Sequence, residues 1–377
     1  MFGKQIKLFS LLGFDVAIDT SWLILAFLIT WTLAQGYFPH YYKDFTAATY
    51  WYMGICGAIG LFFSIIFHEL SHSVVARKYG IPMKGITLFI FGGVAHMEEE
   101  PPSAKSEFLM AIAGPISSII LAGFFYLISL YSIATGYPEP VSAVLSYLAF
   151  INTILAVFNL LPGFPLDGGR VLRSALWYWK NNIKWATKVA SQIGTAIGTF
   201  FIILGILAII TGNFIGGLWW ALIGMFLRNA SSISYQHLTL RNAFEGEKVK
   251  RFMKQDPITV PSSISIHDLV ENYFYYYHYK MFPVSDNSKL LGCVTTRDVK
   301  NIPKENWDRI RVKEITNICS PENTIDINTE AINALTLMNI TGNSRLMVLD
   351  NGNLAGILTL KDMMKFLSVK IDLENND

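Results

Sequence analysis

The sequence is poor in charge for its length. Of its 377 residues, 30 are Lys or Arg and 28 are Asp or Glu, only 15% of the chain, whereas 52% are hydrophobic and the mean hydropathy is +0.38. Soluble globular domains carry about 25% charged residues, so this composition excludes a purely soluble protein and predicts an integral membrane protein. The net charge of +2, without Lys/Arg clusters that alternate with aromatic residues, excludes nucleic acid as a partner.

Cysteine is scarce as well. The chain has three, an odd number without metal-type spacing: Cys56, Cys293 and Cys319. This pattern excludes a disulfide framework and a Cys-based zinc site, and it predicts a reducing compartment for any soluble part. No cleaved signal peptide is expected either, because Asp15 and Asp19 interrupt the N-terminal apolar segment and no small-residue cleavage site follows.

Long hydrophobic runs are abundant, but nearly all of them lie before Ala230. Five are long enough to cross about 30 Å of hydrocarbon, and a sixth is shorter. The runs are 19–36, 51–76, 108–132, 141–161, 190–211 and 214–228. Most Lys and Arg residues of the connections fall on one side, while Lys43 stands alone on the other. The positive-inside rule therefore predicts six crossings of the cell membrane, with both termini and the region after 230 in the cytoplasm.

The second apolar run contains three ionisable residues, His68, Glu69 and His72. A charged residue at the centre of a membrane helix costs about 2.5 to 3.5 kcal/mol on insertion scales, and such residues commonly mark a functional site. A spacing of four puts both imidazoles on one helical face, as two ligands of a single metal ion require, and Glu69 can reach a water at that metal. Zinc accounts for the burial because it binds neutral imidazole.

A third ligand is expected elsewhere, because a catalytic zinc usually has three protein ligands and one open position. Asp167 is the best candidate. It lies in FNLLPGFPLDGGRVLR, at the cytoplasmic end of an apolar run where Pro and Gly interrupt regular helix. The alternative for this carboxylate is an interfacial loop position paired with Arg170 or Arg173. His96 is the rival ligand, although its place after a glycine pair at the membrane edge is more typical of a surface histidine.

Three motifs follow one another in the apolar part of the chain: HELSH at 68–72, AGP at 113–115 and FNLLPGFPLDGGR at 158–170. With them, residues 1–230 resemble the site-2 protease family of intramembrane zinc metalloproteases. The resemblance implies that Glu69 is the catalytic acid/base and that the zinc ligands are His68, His72 and Asp167. It also implies that Asn152 or Asn159 contacts the substrate near the metal. Hydrogen bonding between helices is the alternative role for both asparagines.

The segment GITLFIFGGVAHMEEEPP, residues 85–102, is too short and too interrupted to cross a membrane. Its β-branched and aromatic residues around Gly92 and Gly93 predict a hairpin or short strands. A substrate helix must unwind before cleavage, and an exposed strand here would hold the extended piece by β-augmentation, as the family resemblance also suggests. Gly92 and Gly93 are therefore candidate substrate-binding residues, and proline or charge at Ile90 or Phe91 should slow cleavage. A connector at the interface is the alternative.

Residues 248–370 contain an internal repeat at one constant offset. Five identities coincide without a gap: Pro257/Pro321, Asp286/Asp350, Gly292/Gly356, Thr295/Thr359 and Asp298/Asp362. Each copy predicts an α/β module, and the signatures GCVTTRD and GILTLKD resemble those of the CBS domain. The resemblance implies that ATP or AMP is bound through its phosphate and ribose by Thr295, Asp298, Thr359 and Asp362. Hydroxyl and carboxylate groups suit those contacts. A homodimer contact or a rigid spacer is the alternative role.

These patterns predict a membrane α-helical bundle of about six transmembrane helices with a small membrane-edge β element, followed by a soluble α/β tandem CBS pair. The expected boundaries are 1–230 for the membrane protease domain, 231–247 for a linker, and 248–306 and 307–377 for the CBS domains. The predicted function is an intramembrane zinc endopeptidase that cleaves transmembrane substrates and is modulated by adenine nucleotide. A nucleotide-regulated transporter or channel with structural zinc is the alternative. It is disfavoured because transporters commonly repeat their membrane half, whereas HELSH and PLDGG each occur once.

Overall fold

The computed structural model describes residues 5–81, 83–89, 92–97, 100–286 and 289–374. The chain divides into two compact units, Met1–Leu238 and Thr239–Asp377. The first unit consists mainly of long helices, whereas the second combines short helices with strands.

The helices of the first unit are numbered α1 to α8 in chain order. They are α1 (Thr20–Thr32), α2 (Phe38–Tyr41), α3 (Ala47–Lys78), α4 (Ala104–Ala134), α5 (Glu139–Asn159), α6 (Asp167–Lys180), α7 (Ile183–Ile210) and α8 (Phe214–Phe244), whose last residues belong to the second unit. A π-helical turn, Leu33–Tyr37, joins α1 to α2. The polar residues Thr46, Ser103 and Asn182 cap α3, α4 and α7 by accepting a hydrogen bond from a backbone N–H in the first turn.

Five helical segments are long and apolar enough to cross a membrane, as judged over the described residues. They are Thr20–Tyr41, Ala47–Lys78, Ala104–Ala134, Glu139–Asn159 and Ile183–Ile210. Each overlaps one of the five long apolar runs of the sequence, which confirms a membrane protein. The shorter run at 214–228 lies in α8, which is not among these five, so the predicted number of about six crossings is not confirmed.

A four-stranded sheet accompanies the helices, with strands in the order β1 (Gln5–Leu11), β2 (Phe14–Asp19), β3 (Met83–Phe89) and β4 (Gly92–Met97). β3 and β4 pair antiparallel, as the hairpin prediction requires, with Leu88 opposite Gly93. Ile90 and Phe91, where substitutions are expected to slow cleavage, lie outside the described residues. Strands β1 and β2 were not predicted from the sequence; they form an antiparallel hairpin, and β2 joins β3 through a parallel pairing.

The second unit contains two sheets. One has the order β6 (Met281–Asp286), β7 (Lys289–Thr295) and β8 (Asn317–Ile318), and the other has the order β5 (Lys254–Gln255), β11 (Asn353–Thr359), β10 (Arg345–Asp350) and β9 (Thr324–Asp326). The helices are α9 (Ile266–Leu269), α10 (Thr296–Lys300), α11 (Val312–Ile315), α12 (Ala331–Thr341) and α13 (Leu360–Glu374). Each copy of the repeat thus supplies an antiparallel pair, β6–β7 or β10–β11.

The two strand pairs have the same register. Met281 lies opposite Thr295 in the first copy, and Arg345 lies opposite Thr359 in the second, so both strands keep the offset found in the sequence. The segment expected to be a linker is helical through Phe244, and Phe244 is fully buried in a core of the second unit that includes Leu346 and Leu358.

Candidate metal centre

Helix α3 brings the two histidines of the HELSH motif together. His68 and His72 are 3% and 9% exposed, although they lie in an apolar helix. Their Nε2 atoms are 3.2 Å apart, because residues four apart occupy neighbouring turns of one helical face. Both rings therefore direct their Nε2 atoms to a common point.

Asp167 meets the histidines from a different helix. It is the first residue of α6, and its Oδ2 atom lies 3.0 Å from His68 Nε2 and 3.1 Å from His72 Nε2. The loop before α6 must pass very close to that helix, since Cβ atoms at Gly168 and Gly169 would lie 2.3 Å from Leu160 O and 2.4 Å from Gly163 C. The glycines that follow Asp167 therefore permit the turn that delivers its carboxylate.

Helix α4 orients both imidazoles through contacts with their Nδ1 atoms. His72 Nδ1 lies 2.7 Å from the carbonyl oxygen of Met110, and His68 Nδ1 lies 2.8 Å from Ser118 Oγ. Between these contacts, Gly114 packs against the rings, since a Cβ atom there would lie 2.2 Å from His72 Nε2. Hydrogen bonds to the second ring nitrogen are the usual way in which proteins fix metal-binding histidines.

The chemistry of these three donors fits a cation. A backbone carbonyl only accepts hydrogen bonds, so His72 Nδ1 carries its hydrogen towards Met110, and in the neutral imidazole, the form that binds a metal, His72 Nε2 carries a lone pair directed at Asp167 Oδ2. Two lone pairs facing each other repel unless positive charge lies between them. Ligand atoms about 2.0 Å from a tetrahedral zinc are about 3.3 Å apart, close to the 3.0 to 3.2 Å found here. The donor set therefore suits zinc.

Glu69 stands beside this centre on α3. Its side chain is half-buried, and among the described residues its carboxylate has no hydrogen-bond or ion-pair partner. A carboxylate that is not committed to another side chain is available to a water molecule at the metal.

The structure places the two predicted substrate asparagines differently. Asn152 is fully buried in α5, and its Nδ2 donates to Ser64 Oγ at 2.9 Å and to Leu148 O at 2.8 Å. Its Oδ1 atom is buried without a partner among the described residues. Asn159 is the half-buried last residue of the same helix. Both proposed roles are thus compatible with Asn152, since its amide joins two helices and its oxygen stays available.

The predicted substrate glycines and the rival ligand His96 lie in the sheet. Gly92 and Gly93 begin β4, which forms one edge of the sheet, and His96 lies opposite Gly85 in the same strand pair. Arg173, considered as a partner for Asp167, instead forms ion pairs with Glu100 and Glu107.

The predicted nucleotide residues lie in the second unit, which contains a cavity of about 670 Å³. Thr295 and Asp298 line it, whereas Thr359 and Asp362 are not among the described residues that do. Asp298 Oδ2 accepts hydrogen bonds from Thr295 N, Thr295 Oγ1 and Asn317 Nδ2 at 2.7, 2.7 and 2.9 Å, which leaves Oδ1 for a ligand. In the second copy, Thr359 Oγ1 donates to Asp362 Oδ2 at 2.6 Å.

The residues of α4 that orient the site were not predicted from the sequence. Met110 acts through its backbone, so no side-chain pattern marks it. Gly114 belongs to the AGP motif, which carries the family resemblance but predicts no role for the glycine, and Ser118 follows it by about one helical turn. A glycine and a serine one turn apart in an apolar helix are a weak pattern by themselves.

Comparison with known proteins shows the same two parts. The family model of peptidase family M50 matches residues 56–142 and 135–205, and the CBS domain model matches residues 249–305 and 312–369. The protein sll0528 of Synechocystis sp., which is named as a zinc metalloprotease, is 32% identical over 376 residues that cover 97% of this chain and 96% of that protein. Rip3 of Mycobacterium tuberculosis, also named as a zinc metalloprotease, is 31% identical over 362 residues that cover 95% of this chain and 91% of Rip3.

Among solved structures, the site-2 protease of Methanocaldococcus jannaschii is 28% identical. It covers 62% of this chain and 95% of its own, with a TM-score of 0.43. The identity with relatives matched over nearly their whole length determines the assignment. The chain belongs to peptidase family M50, and it is a membrane zinc metalloprotease with a tandem pair of CBS domains.

Proposed function

We propose that this metalloprotease cleaves transmembrane segments of membrane proteins within the bilayer, in regulated intramembrane proteolysis. The observation that carries the proposal is the convergence of His68, His72 and Asp167 on one point, inside a bundle of apolar helices. His68 lies nearly three turns before the end of α3, about 15 Å along the helix axis. A peptide bond would thus be cut below the membrane surface.

His68, His72 and Asp167 would hold a zinc ion, and Glu69 would act as the acid/base. Zinc in such a site supplies Lewis-acid polarisation of the peptide carbonyl and lowers the pKa of water towards about 7. Glu69 accepts a proton from the attacking water and later delivers it to the leaving amide nitrogen. Met110 and Ser118 keep the imidazoles oriented during the reaction.

The substrate must present an extended backbone, because the peptide bonds of a helix are shielded and internally hydrogen-bonded. The edge strand β4, which begins with Gly92 and Gly93, would pair with the unwound segment. The unpartnered Oδ1 atom of Asn152 would accept a backbone N–H near the scissile bond. Asn159 is the second candidate for this contact.

The proposed topology has six crossings, with α8 supplying the sixth through its apolar first half. An even number of crossings places both termini on the same side, and the Lys and Arg distribution favours the cytoplasm of a cell-membrane protein. The CBS pair then senses cytoplasmic solutes.

We infer that the CBS pair binds ATP or AMP in the cavity of the second unit. Its lining includes three cationic side chains, Lys280, Arg297 and Arg345, against two carboxylates, Asp298 and Glu322, so it favours an anionic ligand such as a phosphate ester. Asp298 Oδ1 would accept from ribose hydroxyls, and the Thr295 hydroxyl would lie by the phosphate. Binding alters proteolysis only if the nucleotide prefers one of two conformations. The pair is also the proposed homodimer contact.

One experiment tests the protease proposal. Wild type and Glu69→Gln would be purified at full length, reconstituted in lipid, and mixed with a labelled library of membrane-spanning peptides, with and without ATP. We expect about one zinc per chain in both proteins, cleavage only by the wild type, and a rate that changes with ATP. Wild-type cleavage rates in Glu69→Gln, or preparations without zinc, would contradict the proposal. Zinc-loaded wild type that cleaves no peptide would favour structural zinc in a transporter.

A further inference from the structure

Two buried charges on α6 and α4, helices that contribute to the metal centre, and one partly exposed charge form a second charged group. Arg173 of α6 is 4% exposed, and Glu107 of α4 is fully buried. Arg173 Nε donates to Glu107 Oε1 at 2.6 Å, and Arg173 Nη2 donates to Glu100 Oε2 at 3.0 Å and also contacts Glu107 Oε1. The ring of Phe164 packs against the guanidinium, 5.3 Å from its carbon to the ring centroid. We call Arg173, Glu107 and Glu100 the charge cluster.

Stability does not explain the charge cluster. A buried ion pair is weak evidence for stability, because the cost of desolvating the charges can exceed their attraction. Here two carboxylates share one guanidinium, and Glu107 Oε2 has no hydrogen-bond partner among the described residues. An apolar replacement of similar volume would avoid that cost. A buried ion pair in which one carboxylate oxygen lacks a hydrogen bond among the described residues is better explained by a need to hold two helices in a fixed relative position.

The charge cluster joins the elements that build the metal centre. Glu107 is on the same face of α4 as Met110, Gly114 and Ser118, since these follow it at the i+3, i+7 and i+11 positions of the helical repeat. Those three residues contact His72 and His68. Arg173 is on α6, whose first residue is Asp167. The ion pair therefore connects the helix that orients two of the converging side chains to the helix that carries the third.

We infer that Arg173 is a positioning residue for Asp167. Its ion pair with Glu107 sets α6 against α4, so that the Asp167 carboxylate reaches the two imidazoles. The bond to Glu100, which follows β4 closely in the chain, extends the same link to the segment after the proposed substrate strand. This inference rests on the proposed zinc site. The proposed role requires neither Arg173 nor Glu107 to touch substrate or metal.

The discriminating variant is the double substitution Glu107→Met with Arg173→Met, which puts apolar side chains of similar volume on both sides of the ion pair. Arg173→Met alone leaves a buried carboxylate unpaired, so its effects mix folding with positioning. The double variant removes both charges, and proteins in which both members of a buried ion pair are replaced by apolar groups of similar size often fold as well as the original. Arg251→Met, which breaks the exposed Arg251–Glu247 ion pair of the second unit, is the matched control.

Two measurements on the full-length protein in lipid decide the inference. The first is the rate of zinc loss to a chelator, which we expect to be about ten-fold faster in the double variant, as for other outer-sphere substitutions, and unchanged in Arg251→Met. The second is an experimental structure of the double variant, in which Asp167 Oδ2 should lie clearly farther from His72 Nε2 than the 3.1 Å found here, beyond hydrogen-bond distance. The melting temperature should stay near that of the wild type.

Each outcome has one meaning. Wild-type zinc retention and an unmoved Asp167 in the folded double variant would overturn the positioning role and leave the protease proposal intact. If the wild type itself held no zinc, the protease proposal would fail, and the position of Asp167 in the double variant would still decide the role of Arg173. If the double variant did not fold, the test would use Glu107→Gln alone, which removes the charge but keeps an acceptor for Arg173 Nε. In its structure, Asp167 Oδ2 should still lie farther from His72 Nε2 than 3.1 Å. An unmoved Asp167 would overturn the inference.

Discussion

His72 Nδ1 lies 2.7 Å from the carbonyl oxygen of Met110, so the orientation of this imidazole is set by a helix other than its own. His68 has the equivalent contact with Ser118, two turns further along the same helix. Helix α4 supplies none of the three converging donor atoms, yet it orients two of the side chains that bear them.

Ser118→Ala should weaken zinc binding by about ten-fold, since the loss of such an orienting hydrogen bond commonly costs roughly 10- to 100-fold in metal affinity. The measurement is competition with a chelator of known affinity. Ser117→Ala is the matched control, because Ser117 is also buried in α4 but donates to Gly114 O instead of contacting a histidine. Equal effects of the two substitutions would show that the contact with His68 is unimportant.

Gly114→Ala should abolish stoichiometric zinc binding. The added methyl group would lie 2.2 Å from His72 Nε2 and 2.6 Å from His68 Nε2, so both rings would have to move. Gly123→Ala in the same helix meets nothing within 4 Å and should leave zinc content unchanged. Elemental analysis of the purified proteins gives the answer. A zinc-loaded Gly114→Ala protein would contradict the observed packing.

Asn152→Ala should lower kcat/KM for a transmembrane peptide by about ten-fold more than Ser64→Ala, if the free Oδ1 atom binds substrate. Both substitutions break the hydrogen bond between Asn152 Nδ2 and Ser64 Oγ, but only the first removes the free acceptor. Zinc content should be normal in both. Equal losses in the two variants would instead indicate that Asn152 acts only by joining α5 to α3.

Asp298→Ala should weaken AMP binding by at least about ten-fold, because it removes a charged acceptor from the cavity. Asp362→Ala removes the corresponding carboxylate from the second copy, where it does not line the cavity, and should have little effect. Calorimetric titration of the full-length variants measures both affinities. A larger loss of AMP affinity in Asp362→Ala than in Asp298→Ala would place the nucleotide beside the second copy.

Burial raises the pKa of the Cys293 thiol to about 11, and this thiol lines the cavity. A raised pKa keeps the group protonated below that pH, so only about 0.1% is reactive thiolate at pH 8. In a Cys56→Ser/Cys319→Ser background, the rate of iodoacetamide labelling should rise about ten-fold per unit between pH 8 and 10, and saturating AMP should slow it. A plateau near pH 9, as for an ordinary exposed thiol, would contradict this prediction.

Much of the architecture follows from local properties of the sequence. Apolar runs of about 20 residues form helices that can span a membrane because lipid satisfies no backbone hydrogen bonds. The internal repeat predicts two similar modules. Gly292 and Gly356, at matching positions, are required for the same reason, because a Cβ atom at either would collide with the backbone of a neighbouring strand. In contrast, β2 enters the sheet by pairing with β3, which joins segments that are far apart in the chain, and β1 enters it only through its hairpin with β2, so neither strand was predicted.

The sequence by itself determined that two imidazoles lie on one face of a membrane helix, because a spacing of four has that consequence in any α-helix. Only the tertiary structure decided that the oxygen of Asp167, far from His72 in the chain, comes within 3.1 Å of that face, and that Arg173 pairs with Glu107 instead of Asp167. Such contacts depend on how α4 and α6 pack, and packing is set by shape and burial over the whole bundle. No local pattern of residues encodes it.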